Sequence, residues 1–272
     1  MQNRRRGRGG IGWMLIVILL VVIGFNAYWI WKYGGLVEDY GALAKQSRIG
    51  MVTAAYPGLE AFAEENKLKL EDYPQSLLDL LARNPETEEF VKNYPLKKDL
   101  APEIDLGAYV GTGSVPLLMQ WDERWGYGQY SGDLMGLTGC GPTCLSMVSL
   151  HLLGDKEYTP RYIADFAEEN GYAEPGSGSA WTLMSEGGKK LGMDVTEIPL
   201  DENRILKNLE VGNPIICILG PGDFTESGHF IVMTGVENGL VRINDPNSRA
   251  NSAKLWELGK IKDQIRNLWV FR

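Results

Sequence analysis

Apolar and polar positions follow three rhythms along this chain. The first is unbroken: IGWMLIVILLVVIGFNAYWIW, Ile11 to Trp31, contains no charged residue. As a helix rising ~1.5 Å per residue it would be about 30 Å long, the thickness of a bilayer hydrocarbon core. The second rhythm is helical. In SLLDLLARNPETEEFVKNYP, Leu77, Leu78 and Leu81 share one face and Phe90 and Val91 supply the next apolar contact. Between them Asn84 before Pro85 reads as an N-cap with proline at the first helical position. The third rhythm begins near Val115. A helix starting near Cys140 and running through CLSMVSLHLL is followed by a second helical stretch, YIADFAEEN. After these come short apolar runs, NPIICILG, GHFIVMTGV, LVRINDP and LWVFR, whose Val, Ile and Phe content predicts strands. VENGL between two of them predicts a hairpin with Asn238-Gly239 at its tip. Helices first and an antiparallel sheet afterwards predict an α+β domain.

These rhythms divide the chain. Residues 1–10 form a basic tail holding Arg4, Arg5, Arg6 and Arg8, and residues 11–32 read as a transmembrane signal anchor. Trp13, Tyr28, Trp29 and Trp31 stand near its two ends, where aromatic rings favour the membrane interface. With arginines before the span and Glu38 and Asp39 soon after it, the amino terminus is expected in the cytoplasm and everything beyond Lys32 outside. A cleaved signal peptide would need an A-x-A-like site after the run, and none follows. Residues 34–106 predict a helical stalk or subdomain, either packed on the main domain or acting as a spacer. GAYVGTGS, residues 107–114, reads as a linker, and residues 115–272 as the main domain.

Composition narrows the functional classes. The chain is 44% hydrophobic and 23% charged, which suits a globular protein. Its net charge is −8 despite the arginine cluster, a poor electrostatic footprint for nucleic acid. Three cysteines are too few for a disulfide scaffold, and two well-separated histidines offer no metal-ligand pattern, so no cofactor is expected.

The chemistry concentrates in TGCGPTCLSMV, residues 138–148. A thiol becomes a good nucleophile when a helix N-terminus or a histidine lowers its pKa. Cys140 meets the first condition if the helix begins around Pro142. Gly139 and Gly141 beside it are expected to let a substrate carbonyl approach the Cys140 backbone N–H. Taken alone, the stretch fits a small buried residue in a glycine-rich turn equally well. His229 opens a strand-like run, and Asp245 ends the next in an Asp-Pro turn. The Asn238-Gly239 hairpin would bring the two together, so that the carboxylate fixes one imidazole nitrogen and leaves the other for the thiol. His151 lies about three turns along the helix from Cys140, too far for proton transfer. Cys144 and Cys217 fall in apolar surroundings and read as inert.

MQWDERWG, GCGPTCLSMV, GDFTESGHFIVMTG and NDPNS, in that order, resemble the peptidase C39-like family of papain-like cysteine peptidases over residues 115–272. YPQSLLDLLARNPETEEFVKNYP is similar to the region preceding this domain in membrane-anchored bacterial members. The resemblance implies a papain-like α+β fold, a nucleophile helix packed on an antiparallel sheet. It also implies a nucleophile at Cys140, a general acid/base at His229, an orienting carboxylate at Asp245 and an oxyanion-hole glutamine at Gln120. Transporter-fused members carry the glutamine closer to the cysteine, in an Asp-Cys-Gly context. Here Gly139 precedes Cys140, and no nucleotide-binding pattern is present, so removal of double-glycine leaders is not implied. PGSGSAWTLM, residues 175–184, also occurs in the family and is expected near the cleft, with Trp181 packing rather than reacting.

The expected activity is membrane-anchored, extracytoplasmic hydrolysis of peptide bonds, with a peptide or protein substrate and the lipid bilayer as partners. Two rivals stand beside it. One is a cell-wall peptide amidase, whose typical Asp-Cys-Ser-Gly pattern is absent. The other is a non-catalytic peptide-binding module.

Overall fold

The computed structural model describes residues 28, 32 and 42–272. The basic tail and nearly all of the expected anchor at 11–32 lie outside the described residues. Among those that are described, no helix is long and apolar enough to cross a membrane. The chain divides into two compact units, Met1–Pro57 and Gly58–Arg272. In the first, residues 42–55 form a helix.

The second unit is built on a six-stranded antiparallel sheet. Its strands lie in the order Val195–Glu197, Ile265–Phe271, Ile215–Leu219, His229–Glu237, Leu240–Asn244 and Leu255–Trp256. Alternation along the central strands supplies both faces. Ile216, Ile218, Phe230 and Val232 share one buried cluster with Leu145, Val148 and Leu150 of the helix Cys140–Leu153. Ile215, Cys217, Ile231 and Met233 share the other with Ile205 and Leu209 of the helix Glu202–Glu210. The result is a mixed fold of helices on an antiparallel sheet, in agreement with the α+β reading. Residues 141–150 of the first helix are all buried, as a helix apolar on every side requires. It stops at Gly154, whose φ of 67° is a left-handed position that glycine occupies cheaply.

The hairpin forms where expected. Asn238 and Gly239 have φ of 52° and 79°, the two positive values that a type I′ turn demands. The ladder beyond it carries an irregularity that no periodicity revealed. Glu237 pairs with Leu240 and Gly235 with Arg242, but Met233 then pairs with Ile243 and Val232 with Asn244. One residue, Thr234, is left over in a bulge.

The part of the helical region that lies within the second unit packs against the sheet domain instead of standing apart from it. It includes the helices Gln75–Arg83 and Glu88–Lys97, and Leu77, Leu78 and Leu81 are fully buried. The Asn84 side chain accepts from the Glu86 N–H and caps a short turn that begins at Pro85. Phe90 stacks on Tyr127 with ring centroids 4.5 Å apart, and the Tyr127 hydroxyl donates to the Phe90 carbonyl at 2.8 Å. Asn93 donates to Glu123 at 2.7 Å. Within the glycine-rich segment expected as a linker, Tyr109 and Val110 pack against the main core, just after the fully buried Leu106.

Candidate active site

Cys140 is the first residue of its helix, with Gly139 at the N-cap. First-turn N–H groups have no partner inside a helix, so the backbone there is free to meet an anion. The flanking glycines serve a different purpose from the one expected. A Cβ on Gly139 would lie 2.5 Å from the Met135 carbonyl oxygen, and one on Gly141 would lie 2.4 Å from Ser179 Oγ. The protein's own atoms fill those positions. Close packing of the helix start, rather than access for a substrate, requires the missing side chains.

His229 is the first residue of its strand, so its ring lies at the end of the sheet, where the Cys140 helix begins. Its Nε2 is 2.7 Å from Asp245 Oδ1. An ionised carboxylate only accepts, so Nε2 carries the proton. Nδ1 is then the nitrogen left for Cys140, whose side chain is within hydrogen-bonding reach of the ring. Asp245 is 1% exposed. Its Oδ1 also accepts from the Asn247 N–H at 2.9 Å, and its Oδ2 accepts from Asn251 Nδ2 at 2.9 Å. The Asp245 N–H donates to Ser252 Oγ at 2.9 Å. Asn247 and Asn251 are hydrogen-bond partners of Asp245 that the sequence motifs did not single out. NDPNS contains the first, but an asparagine after Asp-Pro has the look of a plain turn former.

Charge follows from this arrangement. Burial by itself would push the Cys140 thiol up. The hydrogen bond and charge of His229 outweigh it, helped by the N–H groups of Phe230 and Gly141, and the thiol lies below its ordinary 9.0. Burial by itself would lower His229. The neighbouring Asp245 carboxylate and the Cys140 sulfur reverse this and hold the imidazolium well above its usual range. Asp245 is likewise desolvated, yet His229, Asn251 and the Asn247 N–H keep it below the ordinary carboxylate value. Cys144 and Cys217 are fully buried with no such partners, and burial raises both. His151 is half-buried and lowered chiefly by desolvation, consistent with its having no part in the cluster.

Gln120 is 3% exposed and lines the same cavity as Cys140 and His229. Its Nε2 donates to the Gly136 carbonyl at 2.9 Å, and its Oε1 is buried without a partner. Its backbone N–H donates to the Pro246 carbonyl at 2.8 Å, which ties the MQWD segment to the turn carrying Asp245. All four residues singled out in the sequence therefore meet at one place. Among the described residues no group of three or more His, Cys, Asp or Glu side chains could hold a metal ion.

Cys140 sits where two open cavities meet. One, of 810 Å³, is bordered by Ser179, Trp181 and Phe230. The other, of 850 Å³, is bordered by Gln120, His229 and, from the helical region, Leu80, Arg83 and Asn84. Trp181 is 48% exposed and meets Trp269 edge-on at 6.1 Å. The two cavities share Cys140, Ser227 and Gly228 in their lining and so form one groove past Cys140.

Comparison with known proteins agrees with the motifs. The model of the Peptidase_C39 like family matches residues 112–270, more than half of the chain. Two solved structures are similar. The peptidase domain of Streptococcus ComA, described as a bi-functional ABC transporter involved in a quorum sensing pathway, is 20% identical with a TM-score of 0.43, covering 58% of this chain and 96% of that one. A putative C39-like peptidase from Bacillus anthracis is 15% identical with a TM-score of 0.38, covering 60% and 96% respectively. No curated protein matches the chain.

Proposed function

The chain belongs to the peptidase C39-like family, and we propose that it is a cysteine peptidase of papain-like fold, hydrolysing peptide bonds through Cys140, His229 and Asp245. The observation that carries this reading is the convergence of the three side chains: Cys140 and His229 line one cavity and interact, and the ring is bonded to the buried Asp245 carboxylate. Nε2 is committed to Asp245 at 2.7 Å, which leaves Nδ1 for the thiol. The Cys140 thiolate adds to the scissile carbonyl carbon, and the carbonyl electrons move onto oxygen. The Cys140 N–H and the Gln120 side chain stabilise that oxyanion. As the tetrahedral species collapses, the C–N bond breaks, the imidazolium gives its Nδ1 proton to the departing amine, and a thioester remains. Nδ1, now basic, takes a proton from water as the oxygen adds to the thioester carbon. Collapse releases the acid and restores the thiolate–imidazolium pair. Asp245 holds the ring in register throughout, as the orienting member of such a triad does.

The same proposal puts the domain outside the cell on a single-pass anchor. The uncharged run Ile11–Trp31 behind four arginines supports it. The test is cleavage of a diverse peptide library by the purified full chain in detergent. Wild type should cut a defined subset, and Cys140→Ala should cut none of it. Equal patterns from the two proteins, or no cleavage by either, would overturn the reading.

A further inference from the structure

The helical region that precedes the family domain reaches into the site. Residues 74–98 lie outside the matched segment 112–270, yet they contact the loop that carries the carboxylate. Glu86 lies in the turn between the helices Gln75–Arg83 and Glu88–Lys97. Its Oε1 accepts from Ser248 Oγ at 2.9 Å and from the Ala250 N–H at 3.1 Å, and its Oε2 accepts from the Arg249 N–H at 2.9 Å. Two residues earlier, Asn84 Nδ2 donates to the Asn247 carbonyl at 2.6 Å, an oxygen that also accepts from Trp121 Nε1 at 3.1 Å.

The segment held in this way, 247–252, supplies the donors that grip Asp245. Asn247 gives its N–H to Oδ1 and Asn251 gives its side-chain N–H to Oδ2. Three acceptor contacts converge on one carboxylate, and none of them reaches the reacting atoms. We infer that Glu86 is a positioning residue for the site: it fixes the 247–252 segment so that Asp245 stays aligned on His229 and the ring stays aligned on Cys140. Resting as it does on the triad reading above, this makes the helical region a brace of the catalytic loop as well as one wall of the groove.

The experiment follows Cys140 alkylation by iodoacetamide in the full chain across pH, with each cysteine read separately by mass spectrometry. Alignment, unlike simple folding, sets the midpoint of that profile. Wild type should show a Cys140 midpoint below the ordinary thiol value of 9.0. Glu86→Ala should move it up by about one unit. Below the midpoint that is tenfold less thiolate, offset about threefold by greater nucleophilicity, for a net loss of about threefold. Glu86→Gln keeps one accepting oxygen and should restore part of the shift. It carries the same comparison if the alanine variant does not fold. Identical midpoints in wild type and both variants would overturn the brace even if their melting temperatures fell. An ordinary midpoint in wild type itself would overturn the triad reading and the brace with it.

Discussion

Replacing His229 by alanine isolates what the imidazole does for the sulfur. In the native site burial opposes ionisation of Cys140, and the hydrogen bond and charge of His229 overcome it. Without the ring the opposing effect is left nearly alone. Only the N–H groups of Phe230 and Gly141 still favour the thiolate, so the thiol should rise past its ordinary 9.0 toward the raised range of the buried Cys144. An ordinary thiol at 9.0 is about 1% thiolate at pH 7, and each further unit upward removes another factor of ten. Higher basicity makes the remaining thiolate a better nucleophile, with a Brønsted slope of about 0.4–0.5, so each unit costs about threefold in alkylation rate rather than ten. His229→Ala should therefore label Cys140 at pH 7 more slowly than wild type, by about threefold for each unit the midpoint moves up. The midpoint of the rate–pH profile should move above 9. The assay is timed iodoacetamide labelling of the full chain, with Cys144 and Cys217 as slow internal references. If His229→Ala labels Cys140 with an unchanged midpoint, the imidazole does not activate the thiol, and the mechanism fails at its first step.

Gln120 should behave differently. Gln120→Ala removes an oxyanion donor without touching the thiolate, so kcat for a cleaved peptide should drop by about 10²–10³-fold while the alkylation profile stays in place. A fall in labelling rate parallel to the fall in kcat would show that Gln120 supports the thiol instead. The His229–Asp245 pair also predicts how stability varies with pH. His229 has its folded pKa raised, so its contribution is complete below the unfolded value near 6.5 and is lost as pH rises through the folded value, about 10. Asp245 has its folded pKa lowered from 3.8, so its contribution is present above that value and lost on acidification through the folded one. The melting-temperature deficit of His229→Ala should therefore be largest near pH 5 and shrink toward pH 10. A deficit that grows with pH would contradict the assignment of an imidazolium in the fold.

Local features of the fold are legible in the amino-acid sequence. The Leu77, Leu78 and Leu81 face, the Asn84 cap, the hairpin turn and the start of the Cys140 helix all depend on residues a few positions apart. Local periodicity and backbone preference determine such features, and the structure agrees. The glycines around Cys140 answer to something less local. What fills the space beside them is Ser179, from a segment nearly forty residues away, together with the Met135 backbone. Glu86 gave no signal at all, since an acidic residue in a helical region is normally solvated.

The alignment of His229 with Asp245 shows where the boundary lies. The chain itself specified two strands, a two-residue turn and the chemistry of thiol, imidazole and carboxylate. It did not specify their register. Counting from the Asn238-Gly239 turn, an unbroken ladder would set Asp245 opposite Val232, whose side chain points toward the Cys140 helix. The bulge at Thr234 shifts the pairing by one, so Asn244 stands opposite Val232 and Asp245 lies one residue past the last pair, where its Oδ1 meets His229 Nε2. Side chains alternate along a strand, so one residue of slip decides whether the carboxylate and the ring share a face. That slip is chosen by burial of two opposite apolar faces and by hydrogen bonds to segments distant in the chain. Only the assembled tertiary structure brings those together.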